Sequence, residues 1–235
     1  MKKVISISIS ILVFVALLFG LNLWLTANEN ARSGFKGGGN VLNIYNWGDY
    51  IDPALISKFT KETGIKVNYE TFDSNEAMYT KVKQGGNSYD LVVPSEYMIE
   101  KMKSENLLLP IDKKEIPNLK NYGSQFLNQS FDRGNKYTVP YFWGTLGIVY
   151  NDKYVKANEI KHWNDLWNKR YRKSILLVDS SRDDLGFSLV SMGQSVNSKS
   201  VGTVEAAKAK LDTMMPNVKA ILNDEIKMYM VQDEA

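Results

Sequence analysis

The sequence predicts an α/β fold built on parallel strands, and three observations predict it. From Val41 onward, apolar runs of strand length alternate with capped helical segments in the order β-α-β-α-β-α. That rhythm argues for a parallel sheet with helices on its faces. After Asn151 the same rhythm begins again. Between the two series, Tyr137 to Tyr150 is aromatic, β-branched and broken by Gly144 and Gly147, which reads as extended chain passing between two lobes or as a hairpin within one sheet. The chain has 235 residues, enough for one large domain or two small ones.

The chain opens with Lys2 and Lys3 before an uncharged run from Val4 to Ala27. A helix needs about 20 apolar residues to span a bilayer, and leading lysines keep the start cytoplasmic. Residues 1–27 are therefore expected to be a signal peptide or an uncleaved membrane anchor. The weak cleavage pattern around Ala27 favours an anchor. Residues 28–40 are polar, end in a triple glycine and read as a flexible linker.

Val41, Leu42, Ile44 and Tyr45 form the first strand, and Asn46-Trp47-Gly48-Asp49-Tyr50 follows at its carboxyl end. In open α/β sheets, ligands bind beyond the carboxyl ends of strands. Aromatic faces beside carboxylates suit an organic cation, through cation–π attraction and charge pairing. Equally, Trp47 and Tyr50 could be ordinary core aromatics and Asp49 a loop residue. Asp52-Pro53 is a helix start, with Leu55, Ile56 and Phe59 expected on its buried face and Gly64 at its end. Ile65 to Tyr69 alternates as a strand, Asp73-Ser74-Asn75 caps a helix through Met78 and Val82, and Tyr89 to Val93 is a strand stopped by Pro94. Ser95-Glu96-Tyr97 then delivers a hydroxyl, a carboxylate and an aromatic to the same sheet edge as the first turn. Leu108, Leu109 and Ile111 look like packing, followed by loop and short helix to Asn135.

In the second series His162 to Trp167 is a short amphipathic helix and Ser174 to Val178 a strand. Asp179-Ser180-Ser181-Arg182-Asp183-Asp184 opens the next helix, with Leu185, Leu189 and Met192 along it. Those residues are either helix-start chemistry or a second lobe presenting acids across a cleft. A helix from Val204 to Met214 should turn Ala206, Ala207 and Leu211 inward. Val218-Ile221-Leu222 and Tyr229-Met230-Val231 are apolar fragments.

Composition closes several function classes. A net charge of +3 without a basic aromatic stripe gives no case for nucleic acid. Zero cysteines and a single histidine rule out the usual zinc sites, and no nucleophile elbow accompanies His162. Walker and dinucleotide motifs are absent, so no cofactor is expected. The methionines are scattered at helix-core spacing and read as packing.

Five words in one order carry a resemblance: Tyr45 to Tyr50, Phe59 to Ile65, Ser74 to Tyr79, Tyr89 to Ser95, and Pro140 to Gly144. From Val41 onward the sequence resembles the spermidine/putrescine-binding proteins of polyamine ABC importers. The resemblance implies a periplasmic-binding-protein-like two-lobed clamshell that closes on its ligand by hinge motion. It implies a first lobe over 41–145 and a partial second lobe over 146–235. Trp47, Asp49, Tyr50, Ser95 and Tyr97 would line the cleft. The family's acidic pair on the second lobe falls on Ser180 and Asp183, where the serine is a departure, and Gly48 stands where relatives often carry threonine. Family members are longer, so the chain looks like a C-terminally truncated copy with both lobes incomplete, for which weak binding or none is expected. The missing lipoprotein cysteine implies a Gram-positive member held by its N-terminal helix.

The implied protein is monomeric and not an enzyme. It works at the outer face of the membrane, binds spermidine or putrescine, and delivers them to ABC permease subunits. A receptor of the same class for another small solute, such as an aminophosphonate or a sugar, stays open, as does a non-functional copy. An extracellular hydrolase or adhesin is the more distant alternative. Strong anion binding would need cleft arginines, and Arg182 is the one well placed in the sequence.

Overall fold

The structure, a computed structural model, describes residues 40–86 and 88–233. The expected membrane segment and all of the linker but Asn40 lie outside the described residues. The described chain divides into two compact units. The first holds 40–46, Ile51–Thr71 and Glu76–Leu107; the second holds Trp47–Tyr50, Phe72–Asn75 and 108–233.

In the first unit, β1 (Val41–Trp47) is the middle strand of a three-stranded sheet, between β2 (Lys66–Phe72) and β3 (Leu91–Val92). β1 and β3 run parallel, with Ile44 opposite Leu91 and Tyr45 opposite Val92. The expected strand from Tyr89 shrinks to two residues. The Asp90 carboxylate, rather than a backbone carbonyl, takes the Asn43 N–H at 2.7 Å, so regular pairing starts only after it. Pro94, which lacks an N–H, ends it. Asn43 is 5% exposed yet satisfied: its side-chain oxygen accepts from Asn68 Nδ2 at 2.9 Å. Tyr45 stacks on Tyr89 with centroids 4.5 Å apart.

Helix α1 (Pro53–Thr63) forms as its caps predict: Asp52 Oδ1 accepts the Ala54 N–H at 2.8 Å, and Gly64 ends the helix at φ 72°. Its apolar stripe is not buried. Leu55 is 55% and Phe59 36% exposed, because no described element packs extensively over that face. Helices α2 (Asn75–Gln84) and α3 (Glu96–Ser104) supply the buried Met78, Met98, Ile99 and Met102. Methionine's unbranched, adaptable side chain suits such irregular packing.

In the second unit, β4 (Ile175–Val178) and β5 (Val218–Leu222) pair in parallel, with Leu176 opposite Ala220 and Val178 opposite Leu222. Helices α4 (Ser181–Ser191) and α5 (Val201–Met214) pack against each other, and α6 (Ile226–Val231) follows β5. The core joins Leu166, Leu177, Phe187 and Met214, flanked by Trp163, Trp167 and Ile175. Trp163 stacks on Phe187 at 5.3 Å, and the Trp167 indole N–H donates to the Lys210 carbonyl at 3.0 Å.

Several expectations are corrected here. The segment at His162 is a 3₁₀ turn, Trp163–Trp167, held when the Asp165 carboxylate accepts the Lys161 and His162 N–H groups. On α5 the buried residues are Ala207 and Met214, while Ala206 is exposed. Leu109, expected to pack, is 86% exposed. Of the two readings of Tyr137 to Tyr150, the hairpin is the one not met, since no residue from 139 to 150 is in a strand. Phe142, Trp143 and Val149 are exposed there. The two final apolar fragments become β5 and α6.

Candidate functional site

The second unit carries most of the predicted residues. The turn after β1 opens a connected run of rings. Trp47 lies 4.5 Å from the buried Phe72 and 5.9 Å from Tyr50, centroid to centroid. Tyr50 in turn meets Phe142 edge-on at 5.4 Å and Tyr141 at 6.3 Å. The Tyr141 hydroxyl donates to the Tyr50 carbonyl, fixing the two segments together. Phe72 anchors one end of this run; at the other, Tyr50, Tyr141 and Phe142 are 38%, 45% and 66% exposed. Exposed ring faces side by side offer a sheltering wall for methylenes and an electron-rich face for a cation.

The neighbouring carboxylate, Asp49, reaches α6. Its Oδ2 lies 2.5 Å from Lys227 Nζ, which also sits 3.0 Å from Asp224 Oδ1. Gly48 allows this approach: a Cβ there would stand 2.6 Å from Asp224 Oδ2. Hydrogen bonds from Lys227 to Asp49 and then to Asp224 hold the ammonium above the ordinary lysine range.

Acids also gather where β4 and β5 end. The Asp179 N–H donates to the Leu222 carbonyl at 2.9 Å, so the residues after β4 and those after β5, including Asp224, emerge at one sheet edge. Ser180 is the N-cap of α4, its Oγ accepting the Asp183 N–H at 3.3 Å. That contact makes Ser180 the cap of α4. Asp183 and Asp184 occupy the first turn. Burial pushes the Asp184 carboxyl up, and the charges of Asp183 and Asp179 push it further, to about 6. The crowding of the three carboxylates is what disfavours a charge on Asp184.

A stability prediction follows from Asp184. Its folded pKa is raised, so between about pH 4 and pH 6 the folded state holds a proton that the unfolded state has released. Stability therefore falls as pH rises through that window and stays lower above it. Asp184→Asn should stabilise the chain at pH 7.5 by about 1–2 kcal/mol, the linkage value reduced for solvent screening. Urea denaturation at pH 4 and 7.5 should show this advantage at the higher pH alone.

Ser95 and Tyr97 belong to the first unit. Ser95 is the N-cap of α3, its carbonyl accepting the Met98 and Ile99 N–H groups. The Tyr97 hydroxyl donates to Glu76 Oε1 at 3.2 Å. Arg182, the cation weighed for anionic ligands, is tied to the Val196 carbonyl at 2.9 Å and Asn197 Oδ1 at 2.7 Å. A cavity of about 550 Å³ in the second unit, walled by Leu146, Ile148, Trp163 and Val190, includes none of the predicted residues.

Residues 54–232 match the family model of bacterial extracellular solute-binding proteins. The chain belongs to that family. It is similar to the spermidine/putrescine-binding periplasmic protein of Salmonella typhimurium, 42% identical over 186 residues, which are 79% of this chain and 53% of that protein. Among solved structures it is similar to a chain from Listeria monocytogenes described as a spermidine/putrescine ABC transporter. There the identity is 53% and the TM-score 0.81, covering 84% of this chain and 61% of that one. It is also similar to the spermidine/putrescine ABC transporter substrate-binding protein PotD of Streptococcus pneumoniae, at 57% identity and a TM-score of 0.65, with the same coverage. The chain thus spans between 53% and 61% of the length of these relatives. The α/β fold read from the sequence is that of periplasmic solute-binding proteins.

Sequence reasoning missed several residues of the arrangement in this family member. Tyr141 and Phe142 lay in a motif that the resemblance quoted, without a role. Asp224 and Lys227 carried no signal, because Lys227 meets Asp49 across 178 positions of sequence. Asp184 lies in a run read either as helix-start chemistry or as acids presented across a cleft, and nothing in the spacing set it apart from Asp183.

Proposed function

We propose that this chain is the substrate-binding component of an ABC importer for polyamines, spermidine or putrescine, acting outside the cytoplasmic membrane and handing its ligand to permease subunits. The observation that carries the reading is the partly exposed ring series Trp47, Tyr50, Tyr141 and Phe142, with Asp49 between Trp47 and Tyr50 in the chain. A polyamine is a flexible run of methylenes between ammonium groups. Flat rings cover the methylenes and attract the cations, while carboxylates pair with the ammoniums. The similarity to proteins named for spermidine and putrescine supports the same ligand class.

Trp47 and Tyr50 are the proposed walls and Asp49 a proposed ammonium partner. Asp183, with Asp179 and Asp184 beside it, supplies negative charge at the β4–β5 edge, and Ser180 a hydroxyl. Ser95 and Tyr97 are further proposed contacts, carried by the first unit. The protein performs no chemistry on its ligand; binding and transfer are its whole task. Residues 1–27 are proposed to tether it to the membrane and 28–40 to give it reach.

The anionic alternative is disfavoured by the two hydrogen bonds that engage the Arg182 guanidinium. Calorimetric titration with spermidine, putrescine and an aminophosphonate separates the readings. Saturable heat with the two amines and none with the phosphonate is expected; the reverse order would overturn the proposal.

A further inference from the structure

We propose that Lys227 sets the affinity of this site by acting as a tethered competitor, an internal primary ammonium that occupies Asp49 until a polyamine displaces it. The inference rests on the polyamine reading and names a residue that reading does not require. A lysine side chain is four methylenes ending in a primary ammonium, which is the chemistry of putrescine with one of its two ammoniums replaced by the tether to the backbone. Lys227 Nζ sits 2.5 Å from Asp49 Oδ2 and 3.0 Å from Asp224 Oδ1. The contact with Asp49 is not a by-product of helix geometry, since it joins α6 to the turn after β1. Asp224, three residues before Lys227, braces the ammonium from within its own segment.

Two features make this ammonium displaceable. The Lys227 and Asp49 side chains are both 63% exposed, and exposed ion pairs contribute only about 0.2–1 kcal/mol. A ligand ammonium with aromatic cover from Trp47 and Tyr50 gains more than the bare ion pair gives Lys227. Gly48 is part of the device. A Cβ there would stand 2.6 Å from Asp224 Oδ2, so the carboxylate would have to swing aside from its present place.

Removing the competitor should tighten ligand binding by the factor the pair is worth, about two- to fivefold. The test is calorimetric titration of spermidine into the wild-type chain, Lys227→Met, which keeps an unbranched stem, and Lys227→Ala. Both variants are expected to bind two- to fivefold more tightly than wild type, and the gain should vanish when Asp49→Asn is added. A second readout follows the Lys227 side chain by NMR in the wild-type chain. Saturating spermidine should move its Cε signal toward that of a solvated lysine. Equal or weaker affinity in both variants, or a Lys227 signal unmoved at saturation, overturns this inference and leaves the polyamine reading standing. Absence of spermidine heat in the wild type and in every variant overturns the polyamine reading, and this inference with it.

Discussion

Replacing Asp132 by alanine should destabilise the second unit by about 3–5 kcal/mol, more than any substitution in the candidate site. Asp132 is 1% exposed, and its carboxylate organises the loop that follows it. It accepts the Lys136 N–H at 3.2 Å, the Tyr137 N–H at 3.0 Å, and both the N–H and the hydroxyl of Thr138 at 2.8 Å. Alanine leaves all four donors without that acceptor, and each stranded buried donor costs about 1–3 kcal/mol, less whatever water recovers. Asparagine should cost about 2 kcal/mol, since its amide nitrogen would face N–H groups where an oxygen now accepts. Thermal or urea unfolding measures both.

The same carboxylate shapes the acid limb of stability. Burial alone would raise its pKa. The hydrogen bonds from Tyr137, Thr138 and Lys136 outweigh burial and hold it below the ordinary aspartate range. A depressed folded pKa contributes stability that is complete above the unfolded value near 4 and is lost as pH falls through the folded one. Asp132→Asn should therefore flatten the loss of stability below pH 4 while lowering stability at pH 7. Asp184 works in the opposite sense and between different pH values, so the two substitutions are separable in one pH series.

Local chemistry made much of this fold readable. Asp52 and Gly64 bracket α1 because an N-cap carboxylate and a left-handed glycine are local devices. Ser180 caps α4 for the same reason. The strands β1 and β4 follow from apolar runs of the right length, and β2 from apolar–polar alternation. What escaped reading was set by tertiary context. The stripe of Leu55 and Phe59 has the spacing of a buried face, yet spacing cannot say whether anything covers it. Tyr137 to Tyr150 has strand composition, but a strand also needs a partner's backbone. Asp132 lies in the stretch to Asn135 that reads only as loop and short helix, and its carboxylate is satisfied by donors that the turn itself brings round.

The candidate site divides the same way. The cluster at Trp47, Asp49 and Tyr50 was legible because three informative residue types follow one strand directly. Ser180 was legible as a cap and Asp183 as a first-turn acid, and both roles appear in the structure. The partners that complete the picture come from far along the chain: Tyr141 and Phe142 on the rings, Lys227 and Asp224 on the carboxylate. A single sequence carries no record of which distant residues meet.

The largest expected effect on binding comes from truncating both parts of the turn after β1. Trp47→Ala removes a ring that lies between Phe72 and Tyr50, and so both its own face and the support that orients Tyr50. A cation–π contact is worth about 0.5–2 kcal/mol, depending on how dry it is. Asp49→Ala removes a charge-assisted partner worth about 1.5–3 kcal/mol. Together they should weaken spermidine binding by about 3 kcal/mol, roughly a hundredfold in Kd. The unfolding transition should change little, because Asp49 is exposed and Trp47 only half-buried.

The most direct test of the account is calorimetric titration of spermidine into the wild-type chain and into the Trp47→Ala/Asp49→Ala variant at pH 7.5. Saturable binding by the wild type, about a hundredfold weaker in the variant, is the predicted result. Equal affinity of the two chains would contradict it, placing the ammonium-binding surface away from the turn after β1.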